Sequence, residues 1–314
     1  MMEHLLNPQF LSDFLGTSLR LSVPLVFAAL GGVLSERSGV FNISLEGMIL
    51  AGAFGAAVGA FFLNDPFGGL LVGILCGMAA GLVLAGLGVS LGVNQIVTGI
   101  AINLFVLGLT AFLSRIVFGA QANTLHLPGF RALSIPLLSA IPIVGPVFFG
   151  QDLLVYVMFL CVFLVHAFLY WTPWGLQVRA VGENPAAADS AGVSVTAIRY
   201  GCVIAGGALA GMGGCYIVLS QVFLFSEHMS AGKGFIALAA VILGRWSPVG
   251  AMAACLLFGF FDALQLRLQF NYPAIPHQFF VMLPYVISIL ALVGLVGKPT
   301  PPAAAGRHYQ RGAR

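Results

Sequence analysis

SGVFNISLEGMILAGAFGAAVGAFFLNDPFGGLLVGILCGMAAGLVLAGLGVSLGVNQIVTGIAINLFVLGLTAFLS, residues 38–114, is a run of 77 residues without Lys, Arg or His, and its only charges are Glu46 and Asp65. One bilayer crossing needs about 20 predominantly apolar residues, so this run is long enough for three. The rest of the chain follows suit. It is 60% hydrophobic and 7% charged, with a mean hydropathy of +1.02, whereas a soluble domain carries about 25% charged residues. The composition predicts an all-α polytopic membrane protein, and function has to be read from what interrupts the apolar runs.

Working outward from this run, the interruptions divide the chain into about nine candidate spans, within a range of eight to ten: 17–34, 45–63, 69–91, 95–117, 152–171, 199–219, 234–245, 249–267 and 279–297. The seventh is too short to cross a bilayer of about 30 Å as a straight helix. It reads as a half-helix completed by 221–232, since non-helical backbone is tolerated at membrane depth only where protein surrounds it. Residues 1–16 read as an N-terminal surface segment. They lack the positive region of a signal peptide and are expected to be retained. Residues 17–297 form the membrane domain. The loop 119–151 is broken by Pro128, Pro136, Pro142 and Pro146, and 298–314 is a basic tail carrying Lys298, Arg307, Arg311 and Arg314. Such a tail suits a cytoplasmic membrane surface and not nucleic acid.

Orientation follows from the basic residues. With the tail inside, the parity of nine spans places 35–44, 172–198 and 245–248 inside, and the N-terminus and 119–151 outside. The inner set is then Arg37, Arg179, Arg199, Arg245, Lys298, Arg307, Arg311 and Arg314, against Arg20, Arg115, Arg131, Lys233 and Arg267 outside, 8 to 5 in the expected direction. Spans one to four and six to nine then run in opposite senses about the fifth, which suggests inverted repeats from span order alone. Gly69, Gly73, Gly77 and Gly81 recur every fourth residue, and Gly55/Gly59 and Gly207/Gly211 repeat the spacing. Small residues at this spacing let helices approach closely in lipid.

The chain has no GxxxxGK[ST], HExxH or GxSxG motif, which excludes nucleotide hydrolysis by a phosphate loop and the commoner hydrolase devices. Its five cysteines all lie in apolar runs and read as small buried hydrophobes, and its six histidines have no metal-ligand spacing. No cofactor or metal site is expected.

The most unusual polar stretch is WGLQVRAVGENPAAADSAGVSVTAIR, Trp174–Arg199. Asn184 before Pro185 is a helix start with proline at the first helical position, and Gly192 follows as a C-cap. A short Ala-rich helix with little apolar surface is not stable alone. It reads as a docking element for a partner.

Together, SERSGVFNISLEGMILAGAF (Ser35–Phe54), GVNQIVTGIAINL (Gly92–Leu104), VRAVGENPAAADSAGVS (Val178–Ser194) and ALAAVILGRWSPVGA (Ala237–Ala251) resemble the permease subunits of bacterial ABC importers. More narrowly, the chain is similar to the simple-sugar and nucleoside branch, with branched-chain amino acid permeases more distant. The resemblance covers about residues 17–297. It implies the inverted four-helix plan of type II ABC importers in a bacterial plasma (inner) membrane. It also implies a non-catalytic subunit that works with an ABC ATPase, a second permease (a paralogue or a second copy) and an extracytoplasmic solute-binding protein. Residues 174–198 then correspond to the cytoplasmic coupling loop, with Arg179, Glu183, Asn184, Ala188, Asp189 and Gly192 matching its motif.

The resemblance assigns no ligand contacts, so the pathway is read from physics. Polar residues inside a membrane are costly and face a cavity or one another. The candidates are Asn42, Ser44 and Glu46 on one segment and Asn94, Gln95, Thr98 and Asn103 on another. For Gln95 and Asn103 an interhelical hydrogen bond that only holds the bundle is at least as good a reading. Asp262, Gln265, Gln221 and Glu227 complete the set. These amides and hydroxyls fit a small neutral polar solute such as a nucleoside or sugar. The rival reading is an ion-coupled secondary transporter in which Glu46 or Asp262 takes up a proton.

Overall fold

The computed structural model describes residues 8–119, 126–133, 145–271, 276–283, 286–287, 290 and 300–309. Among these residues the regular structure is helical, apart from one isolated bridge between Ala132 and Asp152. The helices are α1 (Pro8–Arg37), α2 (Leu45–Leu63), α3 (Pro66–Ala85), α4 (Gln95–Phe118), α5 (Leu153–Trp171), α6 (Pro173–Glu183), α7 (Pro185–Ser190), α8 (Val195–Tyr216), α9 (Lys233–Leu243), α10 (Pro248–Asn271) and α11 (His277–Val281). Helices α3 and α8 each end in a wider π-helical turn, Gly86–Ser90 and Ile217–Val222.

Seven helices among the described residues are long and apolar enough to cross a membrane: α1, α2, α3, α4, α5, α8 and α10. The chain is a multi-pass membrane protein. Of the nine spans expected, the seventh is the 11-residue α9, too short to cross on its own. The ninth, 279–297, lies mostly outside the described residues. Helix α1 begins at Pro8, so 8–16 continues the first span and is not a separate surface segment. Packing explains the extension. Phe14 meets Phe260 of α10 edge to face at 5.0 Å between ring centroids, and the Arg267 guanidinium lies 5.3 Å from the centre of the Phe14 ring.

Several polar residues that interrupt the apolar runs are helix caps. Asp65 accepts the Gly68 N–H at 2.9 Å, Asn94 accepts the N–H groups of Ile96 and Val97, and Asp152 accepts those of Leu154 and Val155. Each satisfies donors that a helix start leaves without partners, which matters most next to lipid.

Helices α1, α2 and α8 are the most enclosed of the long helices, while α3, α4, α5 and α10 are more exposed. The glycine ladder of α3 fits between α2 and α8. A β-carbon added at Gly77 would lie 2.3 Å from the Gly207 carbonyl oxygen and 2.8 Å from Gly211 Cα, and one at Gly69 would lie 2.8 Å from the Ala56 carbonyl oxygen. The three glycine repeats of the sequence therefore meet, the ladder of α3 lying against Gly55/Gly59 of α2 and Gly207/Gly211 of α8, and close backbone contact holds three helices in one block.

Gly77→Val would have to push α3 off α8. We expect a loss beyond the roughly 1–3 kcal/mol of ordinary overpacking, because the clashing atoms are backbone. It is read as a lower unfolding temperature and aggregation of the detergent-purified protein. A Gly108→Val control, where added atoms meet open space, should be neutral.

Candidate functional site

Between α1 and α2 the chain turns back into the bundle without forming helix. The Phe41 N–H donates to Gln95 Oε1 at 2.7 Å, at the first residue of α4, and the Gly47 N–H donates to Asn103 Oδ1 at 2.7 Å. Eight helical residues separate Gln95 from Asn103, a rise of about 12 Å. Helix α2 therefore begins well inside the bundle. Asn103 also donates from Nδ2 to the Ile43 carbonyl, at 3.0 Å. Asn42 accepts from the Ser44 backbone N–H and hydroxyl and donates to Ser35 Oγ. Thr98 donates to the Asn94 carbonyl. Gln95, Asn103 and Asn42 thus hold the re-entrant segment 38–44 in place of the helical bonds it lacks, while the Thr98 bond stays within the start of α4.

Glu46, in the first turn of α2, is buried. Its two carboxylate oxygens accept the N–H groups of Gly232 (2.8 Å) and Gly234 (2.7 Å) at the start of α9. A carboxylate at a helix N-terminus is favoured by both the open donors and the helix dipole. Glycine is required at 234, where a β-carbon would lie 2.3 Å from the Glu46 backbone nitrogen. The segment leading into α9 is conformationally unusual. Phe223, His228 and Ala231 have φ of 58°, 61° and 47°, a region non-glycine residues seldom occupy. It is tied to α4 by an ion pair between Arg115 Nε and Glu227 Oε1 at 3.0 Å, which holds the Glu227 carboxyl below its usual range.

Beside this junction lies a cavity of about 280 Å³ whose walls include Glu46, Asn103, Leu104, His228, Ser230 and Phe235. Leu104 and Phe235 are exposed on the flank of the subunit, so the cavity opens sideways. Ser230 is buried and its hydroxyl has no hydrogen-bond partner among the described residues. Of the expected pathway residues, Glu46 and Asn103 line this cavity. Asn42, Ser44, Asn94, Gln95 and Thr98 do not, nor do Asp262 and Gln265 on α10. The sequence reading missed His228, Ser230 and Phe235. The one signal was the Gly232-Lys233-Gly234 start of a short helix, which needs a cap from elsewhere.

At the end of the bundle where α1 finishes, two motifs 209 residues apart meet. Trp246 Nε1 donates to buried Glu36, while Arg37 Nε donates to the Trp246 carbonyl at 2.8 Å and its Nη2 to that of Arg245. This clamp holds Arg245 and Trp246 in the left-handed region, at φ 54° and 53°.

The expected docking helix is at the same end. Asn184 closes α6 and caps α7, accepting the Ala187 N–H at 3.1 Å, and Gly192 has φ +86°. Ala188, named with the coupling motif, is turned inward against Val181 and Val195 and is not on the outward face; Ala186, Ala187 and Ala191 are exposed. On a helix this short only one side can face outward, and the hydrophobic side is sealed by the protein itself. The Arg179 guanidinium lies 5.2 Å from the centre of the Tyr170 ring. Glu183 Oε2 accepts the Ala303 N–H from the tail, and Asp189 is half-buried.

Residues 14–292 match the family described as branched-chain amino acid transport system / permease component. The chain is 38% identical to the guanosine ABC transporter permease protein NupQ of Bacillus subtilis, over 98% of this chain and 99% of that protein. It is 37% identical to the nucleoside ABC transporter permease protein NupC of Lactococcus lactis, over 92% and 93%. It is 38% identical to the putative glucose ABC transporter permease protein TsgC13 of Haloferax volcanii, over 83% and 79%. No solved structure matches it.

Glu46→Gln tests the junction. One half of the new amide would present an NH₂ to a backbone donor, so a bond is lost and a buried donor is left without an acceptor. A cost of about 1–3 kcal/mol is expected, visible as a lower unfolding temperature of the purified protein. An unchanged melting curve would show that the α2–α9 contact does not depend on this carboxylate.

Proposed function

The chain belongs to the branched-chain amino acid transport system / permease component family, and on that premise we propose that it is the membrane-spanning, non-catalytic permease of an ABC importer for a nucleoside. It works in a bacterial inner membrane with α7 and the tail on the cytoplasmic side and 119–151 outside. An ABC ATPase docks on the exposed Ala186–Ala187–Ala191 face of α7. A second permease, a copy or a paralogue, covers the exposed flank of α4, and a solute-binding protein delivers from outside. The observation that carries the reading is α7 itself: a capped, six-residue helix with a smooth outward alanine face, held by the body of the protein and leaving that face to a partner.

The two re-entrant segments support an inverted-repeat plan of nine spans. One segment enters from each end of the bundle, and each leads into a helix that starts at depth. Alternating-access importers of this kind place their sites where such broken elements meet. The cavity at that meeting point favours a nucleoside over a hexose. Its wall is largely apolar, with Leu50, Ile100, Leu104, Leu107 and Phe235 beside a few polar groups. A flat base fits such a wall, and the ribose hydroxyls would engage Ser230 and His228. A hexose exposes hydroxyls in every direction and would leave several without partners, at about 1–3 kcal/mol each. A branched-chain amino acid would bring two charges to a cavity whose one carboxylate is already engaged by two N–H groups. That engagement also weighs against Glu46 as the proton carrier of a secondary transporter.

Uptake into proteoliposomes holding the whole complex decides between these readings. ATP-dependent accumulation of radiolabelled guanosine, outcompeted by other nucleosides and not by glucose or leucine, is expected. Accumulation driven by an ion gradient without ATP would overturn the assignment. In intact cells, Ser190→Cys in a cysteine-free background should resist an impermeant thiol reagent. Labelling from outside would reverse the topology.

A further inference from the structure

We propose that residues 300–309 are a strap that joins the docking helix to the re-entrant segment and so passes the ATPase stroke to the solute cavity; this rests on α7 being the docking helix. The sequence suggests only a basic tail, but the segment is fastened to three elements. The Ala304 N–H donates to the Gly182 carbonyl at 2.9 Å, in the last turn of α6, and the Ala303 N–H to Glu183 Oε2 at 3.3 Å. The Gly306 N–H donates to the Gly39 carbonyl at 3.2 Å, at the entrance of the re-entrant segment. From α8, Arg199 Nη1 donates to the Arg307 carbonyl at 2.9 Å. Tyr309 packs on the cluster of Val181, Ala188 and Val195 that seals the inner side of α7.

The strap spans a seam that otherwise lacks hydrogen bonds among the described residues. Gly182 of α6 and Gly39 approach closely, since a β-carbon on Gly182 would lie 2.1 Å from the Arg37 carbonyl oxygen. The bonds across the seam run through Ala304 and Gly306. Contact alone transmits a push; hydrogen bonds on both sides also transmit a pull, which a reversible machine needs. Gly39 is seven residues before Glu46, and between them Asn42 and Ser44 are bonded into the bundle, so movement at Gly39 is delivered to the α2–α9 junction. Arg199 points the same way. It is 1% exposed, and its Nε and Nη2 have no acceptor among the described residues. A guanidinium held out of water on one neutral carbonyl is costly, and its geometric result is to fix the tail over Gly39.

The test uses the complete transporter in proteoliposomes, comparing the wild type with a chain ending at residue 299 and with Ala304→Pro. Ala304 is the third residue of the turn that the Ala305 N–H closes on the Pro302 carbonyl, so proline there removes the N–H that bonds Gly182 and also disturbs the preceding Ala303, loosening both bonds of the strap to the end of α6. We expect both variants to be monodisperse and to retain the ATPase on purification. Basal ATP hydrolysis should be unaltered, while guanosine uptake falls about tenfold, within the range of allosteric coupling. ATP consumed per solute should rise in proportion, a change that mere loss of stability would not produce. Wild-type uptake in both variants would overturn the strap, as would loss of the ATPase from both, which would make the segment a docking surface instead. If the shortened chain fails to fold, Ala304→Pro alone decides. Ala187→Trp, on the outward face of α7, separates the two ideas: if it leaves ATPase association and uptake intact, the docking reading itself falls.

Discussion

The structure depends on the bond between one carboxylate and two backbone amides. Hydrocarbon offers no partner for an N–H or a C=O, so a helix can begin inside a membrane only if something replaces its missing turn. Helix α9 begins against the first turn of α2, and Glu46 supplies the replacement by accepting from Gly232 and Gly234. The same residue stands in the first turn of α2, which begins inside the bundle. A single side chain thus fixes two interrupted helices against each other. Asn103 plays the matching part for the segment entering α2, accepting from Gly47 and donating to the Ile43 carbonyl. Gln95 and Asn42 add to the hold on the first segment, and the Arg115–Glu227 pair to the hold on the second.

This division of labour explains which readings the sequence supported. The fold class was legible because composition leaves no other solvent for the chain. The glycine spacing was legible because a four-residue period maps onto one helix face. Even the short α9 could be read from its length. The roles of the polar residues could not. Asn42, Ser44, Gln95 and Thr98 look like pathway residues because they are polar and intramembrane, yet Asn42, Ser44 and Thr98 bond to backbone or to neighbouring side chains, and Gln95 Oε1 accepts from the Phe41 N–H. Distinguishing an amide that holds a loop from one that meets a solute requires knowing which bonds are already made. Ser230 shows the converse: an ordinary serine in an unremarked loop has the free hydroxyl beside the cavity.

Ala188 makes the same point at the other end. An Ala-rich stretch between Asn184 and Gly192 signals a short helix, and its alanines look equivalent. Six residues make less than two turns, so which alanine faces inward is decided by Val181 and Val195 on the flanking helices and by Tyr309 in the tail. The tail was legible only as charge. Its attachments are mostly backbone hydrogen bonds, which leave no trace in residue identity.

Rigidity and freedom are distributed to match. Where α3 lies against α2 and α8, glycine contacts bring backbones into direct touch, and such an interface has no flexible side chains with which to yield. Movement therefore belongs to the elements held by hydrogen bonds at the rim of this block: the segment 38–44, the turn before α9 with its three left-handed residues, and α7 with the strap. These are joined in series from Ala187 to Glu46 by bonds that can be exchanged without unpacking the core. A transporter needs a part that does not move, against which a force can act, and parts whose two positions differ by little free energy. Close glycine packing supplies the first, and the anchored but non-helical segments supply the second.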